Sequence, residues 1–176
     1  WDETNGGFFF TSHQSEVLLS RMKEAYDGAI PSGNSISAMN YLKLGRMLSR
    51  PEYEVIAERI FQAFSDKINR SSPGFSQMLQ AVNFSHGPAF EILIAGRSGN
   101  HKTVELLNGI RSRFLPNTVT MLIDPEDDEL KSWMPLLRNY SGGDDGEPLV
   151  YVCRNFSCKL PTSDIRVVMD QLNAGE

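Results

Sequence analysis

The hydrophobic pattern of this 176-residue chain changes period at Gly87-Pro88, and that change limits the possible folds more than any other feature. Before it, apolar residues recur at helical spacing. After it, short continuous apolar runs are separated by one helical stretch. A chain with two periods in two halves reads as α+β, with boundaries at residues 1–88 and 89–176.

The first half opens as a β-hairpin, in which Gly7–Thr11 and Val17–Met22 flank the polar turn Ser12–Ser15. Helices follow. From Asn34 to Leu48, Ile36, Met39, Leu44, Met47 and Leu48 form one stripe, and Ala38, Tyr41, Leu42 and Gly45 leave the opposite face small or apolar. Such a helix is expected to be buried on most sides. Ile36, Met39, Tyr41, Leu42 and Met47 are therefore expected to contact either a second copy of the chain or a missing part of a larger one. Pro51 opens a second helix with Tyr53, Ile56, Ala57, Ile60 and Phe64 on one face, and a third runs from Phe75 to about Phe84. Between hairpin and helices lies Asp27-Gly28-Ala29-Ile30-Pro31-Ser32-Gly33-Asn34-Ser35. It crowds turn formers, a helix cap and a carboxylate together, as expected of a rigid binding loop or of a structural turn with Asp27 on nearby N–H groups.

In the second half, Phe90–Ala95 reads as a buried strand, Lys102–Phe114 as a helix and Thr118–Ile123 as a second strand, giving a βαβ unit with parallel strands. A third strand is expected at Pro148–Val152, with a Pro-broken helix around Glu126–Arg138 as its crossover. Ser163–Leu172 closes the chain as a helix. The small element is thus expected to be a parallel α/β sheet.

Composition excludes several classes. The 17 Lys and Arg are scattered among 22 Asp and Glu, giving a net charge of −5, so no basic face suited to nucleic acid is expected. No apolar run approaches the roughly 20 residues that cross a bilayer, and the start lacks the regions of a signal peptide, so a soluble, cytoplasmic chain is expected. It begins at Trp1 inside a patterned segment, which suggests a start partway through a longer polypeptide. Gly96-Arg97-Ser98-Gly99-Asn100-His101-Lys102-Thr103 lies between a strand and a helix like a phosphate loop. Its glycines, however, have two residues between them rather than four, and His101 precedes the lysine. Cys153 and Cys158 can form a local disulfide or stay as packed thiols, and a non-secreted context favours the thiols. No second pair completes a zinc site, so no metal or cofactor is expected.

Several of these motifs occur together in one family. Trp1-Asp2 with Gly6-Gly7-Phe8-Phe9, Arg21 and Lys23 before the Asp27–Ser35 motif, and Tyr151-Val152-Cys153-Arg154-Asn155-Phe156-Ser157-Cys158 running into Leu160-Pro161-Thr162 resemble the C-terminal end of the spermatogenesis-associated, thioredoxin-domain-containing proteins. The resemblance implies an (α/α)6 barrel related to N-acylglucosamine 2-epimerases and six-hairpin glycosidases, joined to a thioredoxin-like domain. About twelve helices cannot fit into 176 residues, so the chain would hold the last hairpins of such a barrel plus the α/β element. The thioredoxin-like domain's cysteine motif has no counterpart here. By resemblance, Trp1, Asp2, Asp27 and Asn34 would face a central pit; Ser32 in the same loop and His86 after the third helix are further candidates to bind substrate, the alternative for His86 being an ordinary capping or surface residue. Asp2 and Asp27 would form a pair of acid–base carboxylates, the arrangement sugar isomerisation, epimerisation or hydrolysis needs. The alternative is a non-catalytic scaffold working with the thioredoxin-like domain. The implied partners are the rest of the parent chain or a second copy, and a small sugar.

Overall fold

A computed structural model describes residues 1–12, 14 and 20–173 of the chain, which divides into two compact units, Trp1–Gly87 and Pro88–Glu176. In the first unit the described residues before Gly33 form neither helix nor strand. Gly7–Thr11 is therefore not a strand. Among the described residues one backbone bond, from Phe10 N–H to the Met22 carbonyl (2.8 Å), links it to the opposite arm, and Val17–Leu19 of that expected arm lie outside the described residues. The ladder fails at glycine: Gly6 and Gly7 have φ of +72° and +79°, which no extended strand tolerates. A Cβ on Gly6 would stand 2.5 Å from the Arg59 carbonyl oxygen, so a bare backbone is what lets this segment lie on the second helix.

Three helices follow: α1 (Gly33–Leu48), α2 (Pro51–Arg70) and, after a 3₁₀ turn at Ser72–Phe75, α3 (Ser76–His86). The helix α1 ends at Ser49, whose left-handed backbone (φ 52°) leads into Pro51 at the start of α2. On α2 the buried residues are Ala57, Ile60, Phe61 and Phe64, close to the expected stripe. The buried face of α1 differs from the expectation. Ser35, Ala38, Leu42 and Gly45 are the residues packed inside, whereas Ile36 and Leu44 are exposed. Small side chains decide this. The ideal Cβ of Gly45 would lie 3.1 Å from Glu54 Cγ and 3.2 Å from the Arg50 carbonyl, so this face admits the closest neighbour. Leu42 is consequently covered by its own unit and is no candidate for an external contact.

In the second unit, β1 (Phe90–Ala95) is buried along its whole length and pairs in parallel with β2 (Thr118–Ile123), the connection carrying α4 (His101–Arg111). One face of the sheet presents Phe90, Ile92, Ile94, Val150 and Val152 to Leu106 and Ile110 of α4 and to Val168 and Leu172 of α6 (Ile165–Asn173). On the other face Leu93, Ile123 and Cys153 pack with Leu137. The sheet is not purely parallel as expected: β3 (Leu149–Arg154) runs antiparallel to β1, and the strand order is β2-β1-β3-β4, with β4 at Ser157–Cys158. The connection explains the reversal. Both Ile123 at the end of β2 and Leu149 at the start of β3 lie opposite Ala95, so the chain leaves and re-enters at one end of the sheet. Its helix α5 (Asp128–Trp133) has 6 residues, about 9 Å, too short to return along strands of about 20 Å. The cysteines also differ from expectation: Cys153 and Cys158 are joined by a disulfide across β3 and β4. Their hairpin turns through Asn155 (φ 50°) and Phe156 (φ 63°), two positive-φ residues that place the cysteines directly opposite each other.

Replacing Gly6 by Ala combines a left-handed backbone with a contact on the Arg59 carbonyl, and a loss of about 2 kcal/mol is expected. Urea unfolding followed by circular dichroism measures it.

Candidate functional site

The Asp27–Ser35 loop is held from both sides. The Asp27 carboxylate is buried, and Oδ1 accepts the Ser32 N–H at 2.8 Å. Oδ2 accepts two N–H groups from the first turn of α3, Gln77 at 2.9 Å and Met78 at 3.0 Å. Asp27 thereby caps a helix fifty residues away while its own N–H bonds the Gly74 carbonyl at 2.8 Å. Charge at a helix N-terminus is favourable. Ser32 is the N-cap of α1: its Oγ accepts the Ser35 N–H at 3.1 Å and lies 2.8 Å from the Ser35 hydroxyl. Asn34 clamps the N-terminal segment. Its Oδ1 accepts the Phe8 N–H at 2.7 Å, and its Nδ2 donates to the Phe8 carbonyl at 3.0 Å and the Glu24 carbonyl at 2.7 Å.

Asp2 is engaged just as fully. Oδ1 accepts the Thr4 and Asn5 N–H groups, both at 3.0 Å, and Oδ2 meets Lys23 Nζ at 2.7 Å and Asn5 Nδ2 at 3.3 Å. The Lys23 ammonium, and after it the Asn5 N–H, hold this carboxyl well below the usual carboxylate range. Trp1 packs its ring on Phe8 at 4.9 Å between centroids, with the Arg59 guanidinium 4.8 Å above it. His86 is exposed at the last residue of α3.

A cleft of about 630 Å³ opens between the Phe8–Phe10 segment and the loop. Its walls are mostly apolar, with Phe8, Phe9, Phe10, Tyr26, Ile30 and Pro31, and Glu24 among the few polar groups. Of the six candidate residues, Ser32 and Asn34 line it, whereas Trp1, Asp2, Asp27 and His86 do not. Phe10, Tyr26 and Ile30 at its rim are largely exposed. In the second unit, the loop that mimics a phosphate site is satisfied internally. Asp124 accepts the Ser98 N–H at 2.7 Å, and Asn100 caps α4 on the Lys102 N–H at 2.9 Å. The Ser98 N–H is the main reason the Asp124 carboxyl titrates below its ordinary value. Among the described residues no group of three or more His, Cys, Asp or Glu could hold a metal ion, and no helix is long and apolar enough to cross a membrane.

Two outcomes are expected. Asp27→Asn keeps the shape but turns an amide NH₂ toward buried N–H donors, and about 3 kcal/mol of stability is lost, measured as a shift in the urea midpoint. For Asp2 the folded value is depressed, so its stabilisation is fully present above the unfolded value near 4 and is lost as pH falls below it. The midpoint difference between wild type and Asp2→Asn is therefore expected to be flat from about pH 8 to 5 and to shrink below about pH 4.

No protein-family model matches the chain, and no solved structure matches it. Curated relatives do. The chain is 30% identical over 166 residues to spermatogenesis-associated protein 20 of Rattus norvegicus and 29% identical to that of Homo sapiens, an alignment covering 93% of the chain. An uncharacterised protein of Caenorhabditis elegans is 26% identical over 167 residues. The chain spans about a fifth of the length of these relatives, 21% of the mammalian proteins and 22% of the nematode one. Similarity along nearly the whole chain supports placing it with the relatives of spermatogenesis-associated protein 20.

Proposed function

We propose that this chain is a non-catalytic scaffold segment of a longer protein, whose first unit docks against other helices of the same polypeptide through its apolar cleft and the outer face of α1. The observation that carries this reading is the contrast within one unit. The carboxylates that could perform acid–base chemistry are bound to lysine and backbone N–H groups, while the open cleft is lined by rings and aliphatic side chains. Exposed Phe10, Ile30, Ile36 and Leu44 extend that apolar surface. Covering a large apolar side chain stabilises by roughly 1.5–3 kcal/mol, so a few such residues suffice to hold a neighbouring segment in place. The relatives are about five times as long and can supply such a segment. In this reading α1 and α2 are the last hairpin of an (α/α)6-type barrel and the α/β unit is its appendage.

A second reading, sugar binding for isomerisation or epimerisation within the completed domain, is favoured by one feature of the cleft: the rings of Phe8, Phe9, Phe10 and Tyr26 stand beside Glu24. Aromatic faces stack on pyranose rings and a carboxylate bonds their hydroxyls.

Supplying the preceding part of the longer polypeptide in trans separates the two. The scaffold reading predicts a stable complex, loss of the isolated chain's fluorescence with an apolar dye, and weakened association for Ile30→Glu. Saturable binding of N-acetylglucosamine or N-acetylmannosamine, abolished by Glu24→Gln, with no effect of Ile30→Glu on assembly, would establish the second reading instead.

A further inference from the structure

The disulfide of the second unit is asymmetric. Cys153 on β3 is 2% exposed and packed with Leu93, Ile123 and Leu137, whereas Cys158 on β4 is exposed. A hydroxyl marks the exposed sulfur: Tyr140 Oη lies 3.6 Å from Cys158 Sγ. A disulfide sulfur carries no proton, so the hydroxyl is the donor. Tyr140 is held there by an edge-on contact with Tyr151, 5.0 Å between centroids, and Tyr151 is fixed in turn by its own hydroxyl donating to the Ser141 carbonyl at 2.8 Å. Burial first, and then the charges of Glu91 and Tyr151, push the Tyr140 hydroxyl above its ordinary value, so it remains a donor at neutral pH. Beneath the buried sulfur, Glu91 on β1 is the register partner of Cys153, and its carboxylate is 4% exposed and accepts the Phe156 N–H at 3.4 Å. Arg154 and Lys159 flank the two cysteines in sequence, and the Lys159 ammonium donates to the Gln171 carbonyl at 2.9 Å.

We propose that Cys153–Cys158 is a thiol–disulfide exchange site in which the exposed Cys158 is the reacting sulfur, the buried Cys153 the resolving one and Tyr140 a positioning residue that stabilises the Cys158 thiolate. In the reducing direction, a thiolate of an external dithiol attacks Cys158 Sγ. The bond to Cys153 breaks, and Cys153 leaves with the electron pair and takes a proton from solvent. The dithiol's second thiolate then attacks its own sulfur in the mixed disulfide and expels Cys158 as thiolate, which Tyr140 stabilises. The dithiol becomes a disulfide and the chain gains two electrons and one proton on Cys153, with a second proton only when the Cys158 thiolate is itself protonated from solvent. Oxidation by an external disulfide reverses each step. A donor on the exposed sulfur and burial of the other divide the two cysteines into an attacking and a resolving thiol, since exchange depends on thiolate fraction and on access.

The test uses the whole chain in its native state. Dithiothreitol is expected to reduce it below the denaturing range, and iodoacetamide with mass spectrometry then modifies Cys158 ahead of Cys153. The pH–rate profile gives Cys158 a value below the ordinary thiol's, and Tyr140→Phe moves it upward by about one unit, the size of one charge-assisted hydrogen bond. Glutathione disulfide forms a stable mixed disulfide on Cys158 in Cys153→Ser and none on Cys153 in Cys158→Ser. The labelling order and the trapping do not depend on the Tyr140 variant, so they stand even if that variant folds poorly. A disulfide that resists dithiothreitol until the chain unfolds, earlier modification of Cys153, or an unchanged profile in folded Tyr140→Phe would overturn the proposal.

Discussion

The Asp27 carboxylate is the point on which the first unit turns. Two oxygens gather three backbone N–H groups, one from the loop before α1 and two from the start of α3. Because the group is buried, each N–H it satisfies would otherwise be a desolvated donor with no acceptor, and a structure does not tolerate three of those. Ser32, placed by Asp27, caps α1, and Asn34 two residues on secures the Phe8 backbone. A single carboxylate therefore fixes the loop, and the loop fixes the wall of the cleft.

The same economy governs Asp2, Asp124 and Asn100, each of which closes a turn on nearby N–H groups. Polar residues that read in sequence as candidate chemistry are used here to finish local structure. What remains open is apolar surface: the cleft rim and the outer face of α1 in one unit, and, in the other, a disulfide with one sulfur in water. These are the features on which the proposed docking against other surfaces rests.

How much of this was legible in the sequence depends on the range of the interaction. Phe90–Ala95, the helix after it and Thr118–Ile123 were readable because an apolar run, a 3.6 period and a second apolar run are local signals, and the structure pairs those strands in parallel. The direction of β3 was not, because it depends on where a 25-residue connection re-enters the sheet, and no local pattern encodes that. On α1 the larger side chains, Ile36 and Leu44, suggested the buried face, but close approach at Ala38 and Gly45 decided it. Asp27 was visible as a turn carboxylate, yet its partners on α3 lie fifty residues on. Glu91 carried a signal that could have been used, since a lone carboxylate in an otherwise apolar strand marks a buried polar site. The disulfide stayed open because its turn uses Asn155-Phe156, and a phenylalanine at positive φ is not a residue that sequence patterns associate with tight hairpins.

Amide hydrogen exchange, resolved by residue, tests the central claim that Asp27 is a structural latch. The account predicts that the N–H groups of Ser32, Gln77 and Met78 are protected in the native chain and that all three lose protection together in Asp27→Asn while the middle of α2 keeps its own. Rapid exchange at Gln77 and Met78 in the wild-type chain, with the rest of α3 protected, would contradict it and return Asp27 to the list of carboxylates free to do chemistry.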